Sequence, residues 1–386
     1  MGLCFRKTTA RFPLTRALMS SILHAFQQAV HEKVFPGAVA LVRSRGTVVF
    51  HEAVGTRGAP PDDQPVCRES IYDLASLTKP LATTTATLCL VQDGRLHLDQ
   101  SVSQWVEELE GSPFAGVALR QLLSHSAGLP AWRPYYERLA PLGFPPRNDE
   151  ERRQRVHALL RAIACEPVDY QPGSQSLYSD VGFMLLGVIV ERCAGMPLAA
   201  YCRRRIYEPL GISSLAFISR DEAETALKDS AEIVPTEWDR WRNRLLRGEV
   251  HDENAYALGG SAGHAGLFGT AYAIGQLSAA WLQAVQGFDG VLSAALAKRF
   301  THRQSETSSW GLGWDTPSVP SSSGSRFSSR AFGHVGFTGT SLWIDPSCEL
   351  EVVIVSNRVH PTRANTAIQT FRPRIHDAIH QEWGGR

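Results

Sequence analysis

The sequence predicts a mixed α/β fold, an α+β layered arrangement in which helices flank an antiparallel sheet built from both chain ends, with a mainly α lobe inserted. Three observations carry this. A β-rich hairpin pattern lies near the start, strand patterns return after residue 330, and helical periodicity dominates from residue 76 to about 300.

Taken in order, Leu18, Ile22, Leu23, Phe26 and Val30 recur at helical spacing over residues 17–33, and Pro36-Gly37 ends that run. Residues 38–42 and 47–54 are β-rich and bracket Ser44-Arg45-Gly46, the pattern of an antiparallel hairpin. Helices are expected over 76–92, 151–164, 180–194, 197–206, 270–286 and 291–299. Pro80 falls in the first turn of the first of these, where its missing N–H costs nothing, and Asp93-Gly94 closes it. Residues 131–148, with Trp132, Tyr135, Tyr136 and four prolines, are irregular, as lids and pocket walls commonly are. Strands are expected at 310–314, 331–335, 341–344 and 350–356, and a terminal helix over 363–383. The Ser-rich stretch 317–330 is expected to be a mobile surface loop.

At 386 residues with 43% hydrophobic content, the chain can bury a substantial core. Its formal net charge of +1, with 39 basic and 38 acidic residues interspersed, gives no electrostatic footprint for nucleic acid. Seven scattered cysteines without a CxxC pair indicate neither a disulfide framework nor a zinc knuckle. No apolar run approaches the ~18 residues of a spanning helix, and residues 1–18 lack the apolar stretch of a secretory signal, so a cytoplasmic location is expected. Against this, Arg6, Lys7, Arg11 and Arg16 precede the first acidic residue, Glu32, in the manner of an organelle presequence; a start at Met19 is the other reading. Residues 1–16 are expected to be flexible.

Chemistry concentrates at Ser76-Leu77-Thr78-Lys79, which holds one of only five lysines beside thirty-four arginines. Arginine serves where a permanent cation is enough, whereas a desolvated lysine can lose its proton and act as a base. Positions i and i+3 share a helix face, so the Lys79 amine can lie beside the Ser76 hydroxyl, a poor nucleophile until something takes its proton.

Two further motifs come later in the chain, Tyr178-Ser179-Asp180 and then His334-Val335-Gly336. Together with the architecture, these motifs make the chain resemble the serine β-lactamase and penicillin-binding-protein superfamily, with its β-lactamase/transpeptidase-like fold. The resemblance is to the class C β-lactamase-like group, which includes DD-carboxypeptidases, D-aminopeptidases and esterases. Residues 122–130 (LLSHSAGLP), 266–270 (GLFGT) and 336–340 (GFTGT) match that group's habits.

The resemblance covers about residue 20 to the C-terminus and implies a catalytic domain over 17–386, with an α/β lobe (17–75 plus 301–386) and a mainly α lobe (76–300). It makes Ser76 the nucleophile, Lys79 its proton partner and Tyr178 a proton shuttle. It also places the oxyanion hole at the amides of Ser76 and Phe337, whose donors stabilise the tetrahedral intermediate. Either Lys79 or Tyr178 can take the Ser76 proton on this reading, and a phenol beside a cationic lysine is expected to have a lowered pKa. Asp180 departs from the family's commoner Asn and is expected to hold Lys79 charged or to select a cationic or neutral ligand. His334 stands where many members carry a Lys, so recognition of a substrate carboxylate is expected to weaken as pH rises through ~6 to 7. Gly336 would let substrate approach the strand.

Two rival sites can be named. Residues 259–263 (GGSAG) satisfy GxSxG around Ser261, but no buried strand precedes that serine, and Gly266 and Gly269 interrupt the segment after it. His251, Asp252 and His264 could suggest a metal hydrolase, without any HExxH pairing; solvated loop histidines explain them better. A non-enzymatic reading is a degenerate member of the fold that binds or self-assembles without turnover. The expected protein is a serine hydrolase without metal or organic cofactor, acting on a small-molecule ester, amide or peptide substrate through an acyl-enzyme on Ser76. A β-lactamase or DD-carboxypeptidase is the alternative within the family.

Overall fold

Alternation along the central strands sets the architecture. In residues 37–44, Ala38, Ala40 and Val42 join one apolar cluster while Val39 and Leu41 join the other; residues 350–356 send Val352 and Ile354 one way, Val353 and Val355 the other. Strands buried on both faces must lie between layers, and period-two alternation delivers each residue to its own layer. The computed structural model describes residues 14–58, 63–218 and 232–385, the first seven of these by backbone alone. Of the expected flexible segment, residues 1–13 lie outside the described residues, and Leu14 onward is already helical.

The chain begins with α1 (Leu14–His31), β1 (Gly37–Ser44), β2 (Thr47–Gly55) and β3 (Tyr72–Asp73). A helical middle comes next: α2 (Thr85–Gln92), α3 (Leu119–Leu123), α4 (Tyr135–Leu139), α5 (Asp149–Ala164), α6 (Asp180–Ala194) and α7 (Leu198–Cys202). Beyond it lie β4 (Leu215–Phe217), β5 (Trp238–Asp239), β6 (Arg244–Leu245), α8 (Glu253–Ala257), β7 (Leu267–Gly269), α9 (Ala271–Gln286) and α10 (Ala294–Thr301). The chain returns to β8 (Phe332–Val335), β9 (Ser341–Asp345), β10 (Leu350–Ser356) and ends in α11 (Ile368–Trp383).

The main sheet is antiparallel, in the order β2-β1-β10-β9-β8, so strands from the two chain ends meet at the β1/β10 seam, with Leu41 opposite Val353. Residues of α1 and α11 fill the cluster on one face, including Phe26, Ile375 and Trp383, and α9 packs on the other. The expected sheet from both ends is therefore present. A small second sheet, β3-β7-β4, was not expected, because strands of two or three residues carry no readable periodicity.

Four local expectations are corrected. Residues 310–314 form no strand; Trp310 and Asp315 make only isolated bridges, the latter to Gly333. The terminal helix begins at Ile368 rather than 363, since Arg363 is held through its side chain and its amide by Glu237. The Ser-rich stretch is packed: Ser323 and Phe327 are buried, the Ser325 and Arg326 amides donate to Asp377 Oδ1, and Ser328 is bound by Asp345. Residues 76–92 are a composite of a 3-10 turn (75–77), a π-helical segment (Lys79–Thr84) and α2. Widened π turns inside helices recur at functional sites.

Among the described residues no single helix is long and apolar enough to cross a membrane. One bent pair, α6 with residues 198–207, passes by length and composition, yet α6 is buried along most of its length in the core.

Candidate active site

The turn that carries Ser76 is held from below. Asp73, at the end of β3, accepts the Ala75 amide at 2.8 Å and the His251 amide at 2.7 Å. Ala75 takes φ of +46°, a left-handed conformation that costs an alanine roughly 1 kcal/mol and persists where surroundings over-determine it. From the sheet side, Thr338 Oγ1 donates to the Asp73 carbonyl at 2.7 Å and Thr340 Oγ1 to the Leu74 carbonyl at 3.0 Å. These two hydroxyls seat the β8–β9 turn, and with it Phe337, against the residues just before Ser76.

Gly336 serves that seating. A Cβ there would meet Thr340 Oγ1 at 2.1 Å and the Leu74 carbonyl at 2.5 Å. The glycine therefore admits the close approach of Thr340 and the Leu74 carbonyl. The Phe337 side chain is half exposed beneath the Arg358 guanidinium, 4.4 Å from ring centroid to Cζ, and its carbonyl accepts from Arg358 Nε.

Lys79 is fully buried, and its ammonium donates to Ser76 Oγ at 3.1 Å, Asp180 Oδ1 at 2.6 Å and the His264 carbonyl at 3.2 Å. Three N–H groups thus find three acceptors. The Tyr178 ring packs beside the pair, with Lys79 Nζ 4.8 Å from its centroid. Burial acts to discharge Lys79, but the Asp180 carboxylate, aided by Tyr178, outweighs it and holds the amine above its ordinary value. Burial likewise raises the Tyr178 phenol, against the opposing pull of Lys79. The expectation of a lowered phenol is thus corrected: desolvation exceeds the attraction of a cation already shared with Asp180. At neutral pH both groups keep their protons.

Helix α6 delivers the second motif. Ser179 caps it, accepting the Gly182 amide at 3.1 Å and donating to the Pro130 carbonyl at 2.7 Å, and the Asp180 amide donates to the Ala131 carbonyl. The Asp180 carboxylate sits in the first helical turn, where the helix dipole favours an anion. The irregular stretch after residue 130 is thereby tied to the site, as a wall should be.

His334 is nearly fully buried on β8, 5.9 Å from the Tyr178 ring. Its Nδ1 donates to the Val335 carbonyl at 2.8 Å, so the neutral ring offers Nε2 as an acceptor, and Nε2 is buried without a protein partner. Burial, then Lys79, push its pKa down to about 3. The expected loss of a histidine cation through pH 6 to 7 is corrected: the ring is already neutral there.

Two residues escaped the sequence reading. His125, at φ +56°, accepts the Ser179 amide on Nδ1 at 3.0 Å and packs 4.8 Å from Tyr178. Trp310 packs against His125, Tyr178 and His334 together. The LLSHSAGLP stretch was a signal for His125; nothing local marked Trp310.

Neither rival assembles. Ser261 lies in a loop after the short α8, and a Cβ on neighbouring Gly263 would fall 2.0 Å from the Phe183 carbonyl of α6, so these glycines serve close packing. His251 pairs with Glu237 and His264 with Asp252, each at 2.8 Å, as separate hydrogen-bonded pairs rather than one convergent set. Both histidines are buried, not solvated as expected.

Known proteins resemble this chain over most of its length. A putative D-alanyl-D-alanine carboxypeptidase of Escherichia coli K12 is 33% identical over 351 residues, covering 84% of this chain and 79% of its own. A similarly named protein of Salmonella agona is 34% identical over 323 residues, covering 78% and 72%. In fold, EstCE1, a hydrolase with promiscuous acyltransferase activity, aligns with TM-score 0.71 at 23% identity, covering 95% of this chain and 99% of that one. The octameric penicillin-binding protein homologue from Pyrococcus abyssi aligns with TM-score 0.70 at 20% identity, covering 97% and 78%. The family profile described as Beta-lactamase matches residues 22–372. The chain belongs to the beta-lactamase family and is a serine hydrolase of the penicillin-binding-protein fold.

Proposed function

We propose that the protein hydrolyses small neutral esters or short amides through an acyl-enzyme on Ser76. The observation that carries this reading is the convergence of Ser76, Lys79, Tyr178 and Asp180, with all three Lys79 N–H groups engaged. Because Lys79 and Tyr178 both rest protonated, the reading needs no anionic base. The Ser76 oxygen attacks the substrate carbonyl while its proton passes to the Tyr178 oxygen and the phenol's own proton passes to the leaving group. Lys79 stabilises the charge that develops on Ser76 and Tyr178, and the amides of Ser76 and Phe337 receive the oxyanion. Water then deacylates the serine by the reverse transfer.

A neutral substrate is favoured because His334, at the position where many relatives carry a lysine, has no charge to offer a carboxylate, and Asp180 already neutralises the Lys79 ammonium. The similarity to relatives named as carboxypeptidases supports a second reading, cleavage of a peptide ending in D-alanine. Intact-mass analysis after parallel incubation with a nitrophenyl ester and a D-alanyl-D-alanine peptide separates the two. The expected adduct comes from the ester, maps to Ser76, disappears in Ser76→Ala and persists in Ser261→Ala. Survival of the adduct in Ser76→Ala would sink the reading.

A further inference from the structure

We propose that Asp345, Cys348 and His380 form a binding site for one divalent transition-metal ion of zinc type, on the α1/α11 side of the sheet. Asp345 ends β9, Cys348 lies in the turn to β10 with two residues between them, and His380 projects from the last turn of α11. Two ligands separated by two residues in a tight turn, completed from a distant helix, are a common way to build a zinc site.

The distances suit a bridging ion, with the Cys348–His380 pair at the length of a sulfur hydrogen bond. His380 Nε2 stands 3.5 Å from Asp345 Oδ2 and 3.8 Å from Cys348 Sγ, and the three donor atoms all lie within 4.8 Å of one another. A nitrogen bonded directly to a carboxylate lies within about 3.2 Å. Tetrahedral zinc with ordinary bond lengths separates its nitrogen from an oxygen by about 3.3 Å and from a sulfur by about 3.6 Å. The ring nitrogen is therefore aimed between two donors at the spacing an ion would impose.

Asp345 has a structural duty as well. Its Oδ1 accepts from Ser328 Oγ at 2.6 Å and the Ser347 amide at 2.9 Å, and its Oδ2 from the Ser328 amide at 2.7 Å. A carboxylate has about four lone-pair positions, so one remains on Oδ2, the atom facing His380. The same hydrogen bonds orient the carboxylate as supporting contacts orient metal ligands. Binding releases the Cys348 thiol proton to solvent and leaves thiolate, carboxylate, neutral imidazole and a divalent ion, a set with no net charge. Cys348 is half-buried and His380 partly accessible, which leaves an entry path and room for a fourth, solvent ligand.

Such an ion would tie the β9–β10 turn to α11, apart from the Ser76 chemistry. The test uses the full chain stripped with chelator, in a Cys165→Ser background because Cys165 is an exposed thiol. Cobalt(II) should be taken up at one equivalent, with a thiolate-to-cobalt charge-transfer band and tetrahedral ligand-field bands, and zinc should displace it. Cys348→Ser should abolish the charge-transfer band, His380→Ala should weaken uptake by about 100-fold or more, and ester hydrolysis should survive chelation. X-ray absorption of the zinc form should show a single sulfur at about 2.3 Å. Failure to take up one equivalent, an unchanged cobalt spectrum in Cys348→Ser, or a zinc shell without sulfur would each overturn the proposal.

Discussion

Replacing Asp180 with Asn is the most informative single perturbation, because it removes the counter-charge of a fully buried lysine while nearly preserving shape. Asp180 Oδ1 lies 2.6 Å from Lys79 Nζ, which is 0% exposed, whereas the carboxylate side chain is 19% exposed. At an effective dielectric constant of 20, Coulomb's law gives about 6 kcal/mol for unit charges at that separation, an upper bound on the lost attraction. Breaking one side of a buried ion pair typically costs about 3–5 kcal/mol, since the remaining charge keeps its desolvation penalty. Lys79 can relieve the cost by giving up its proton, because burial alone favours the neutral amine.

The expected result is therefore twofold. Urea denaturation at pH 7 should show Asp180→Asn destabilised by about 3 kcal/mol or more. Ester turnover, level from pH 6 to 9 in the wild type because Lys79 and Tyr178 stay protonated, should become pH-dependent in the variant as Lys79 titrates. A variant with unchanged stability and a profile superimposable on the wild type would show that Asp180 does not govern the charge of Lys79.

Other consequences arise from the same geometry. Tyr178→Phe should lower kcat by about 10²–10⁴ with KM little changed, because on the proposed mechanism the phenol moves protons rather than holding substrate; an unchanged kcat would remove Tyr178 from the proton path. The wild-type ratio of kcat/KM for an ester bearing a free carboxylate to that for its methylated counterpart should stay level from pH 5.5 to 8, since His334 is neutral throughout. His334→Lys should raise that ratio about tenfold or more, the worth of one charge-assisted hydrogen bond, and a wild-type ratio falling through pH 6 to 7 would restore a cationic His334. Acid should destabilise the fold: burial, chiefly, holds His334 at about 3 and His376 at about 4, below the 6.5 of the free group, so the unfolded chain takes up protons first and stability present above pH 6.5 is lost as pH falls. At pH 5 each contributes about 2 kcal/mol of loss, to which His125, also lowered by burial, adds, and Asp315, raised to about 6 by burial, offsets about 1 kcal/mol; denaturation at pH 7 and pH 5 should show the net loss. His376→Gln should remove about 2 kcal/mol of that loss.

Residues 38–42 and 350–356 were legible as strands from their apolar, β-branched composition, and the structure sends their alternate side chains into opposite clusters. Ser76 and Lys79 were legible as a pair because a spacing of three residues in a helical turn brings two side chains to one face, and they meet at 3.1 Å even though the turn is 3-10 and π rather than regular α-helix. The order of the three motifs was likewise written in the chain. Charge state was not. Whether Lys79 is a base or a cation depends on a carboxylate 101 residues away, and whether His334 is charged depends on how completely the fold buries it. The phenol moved opposite to expectation for the same reason: desolvation and neighbouring charge are properties of the assembled site, of opposite sign, and here burial is the larger. The two- and three-residue strands of the small sheet, Trp310 against Tyr178, and the donors converging at Asp345 were also decided only by tertiary contacts. Local sequence encodes spacing and periodicity; it carries no record of which distant groups will share a low-dielectric interior.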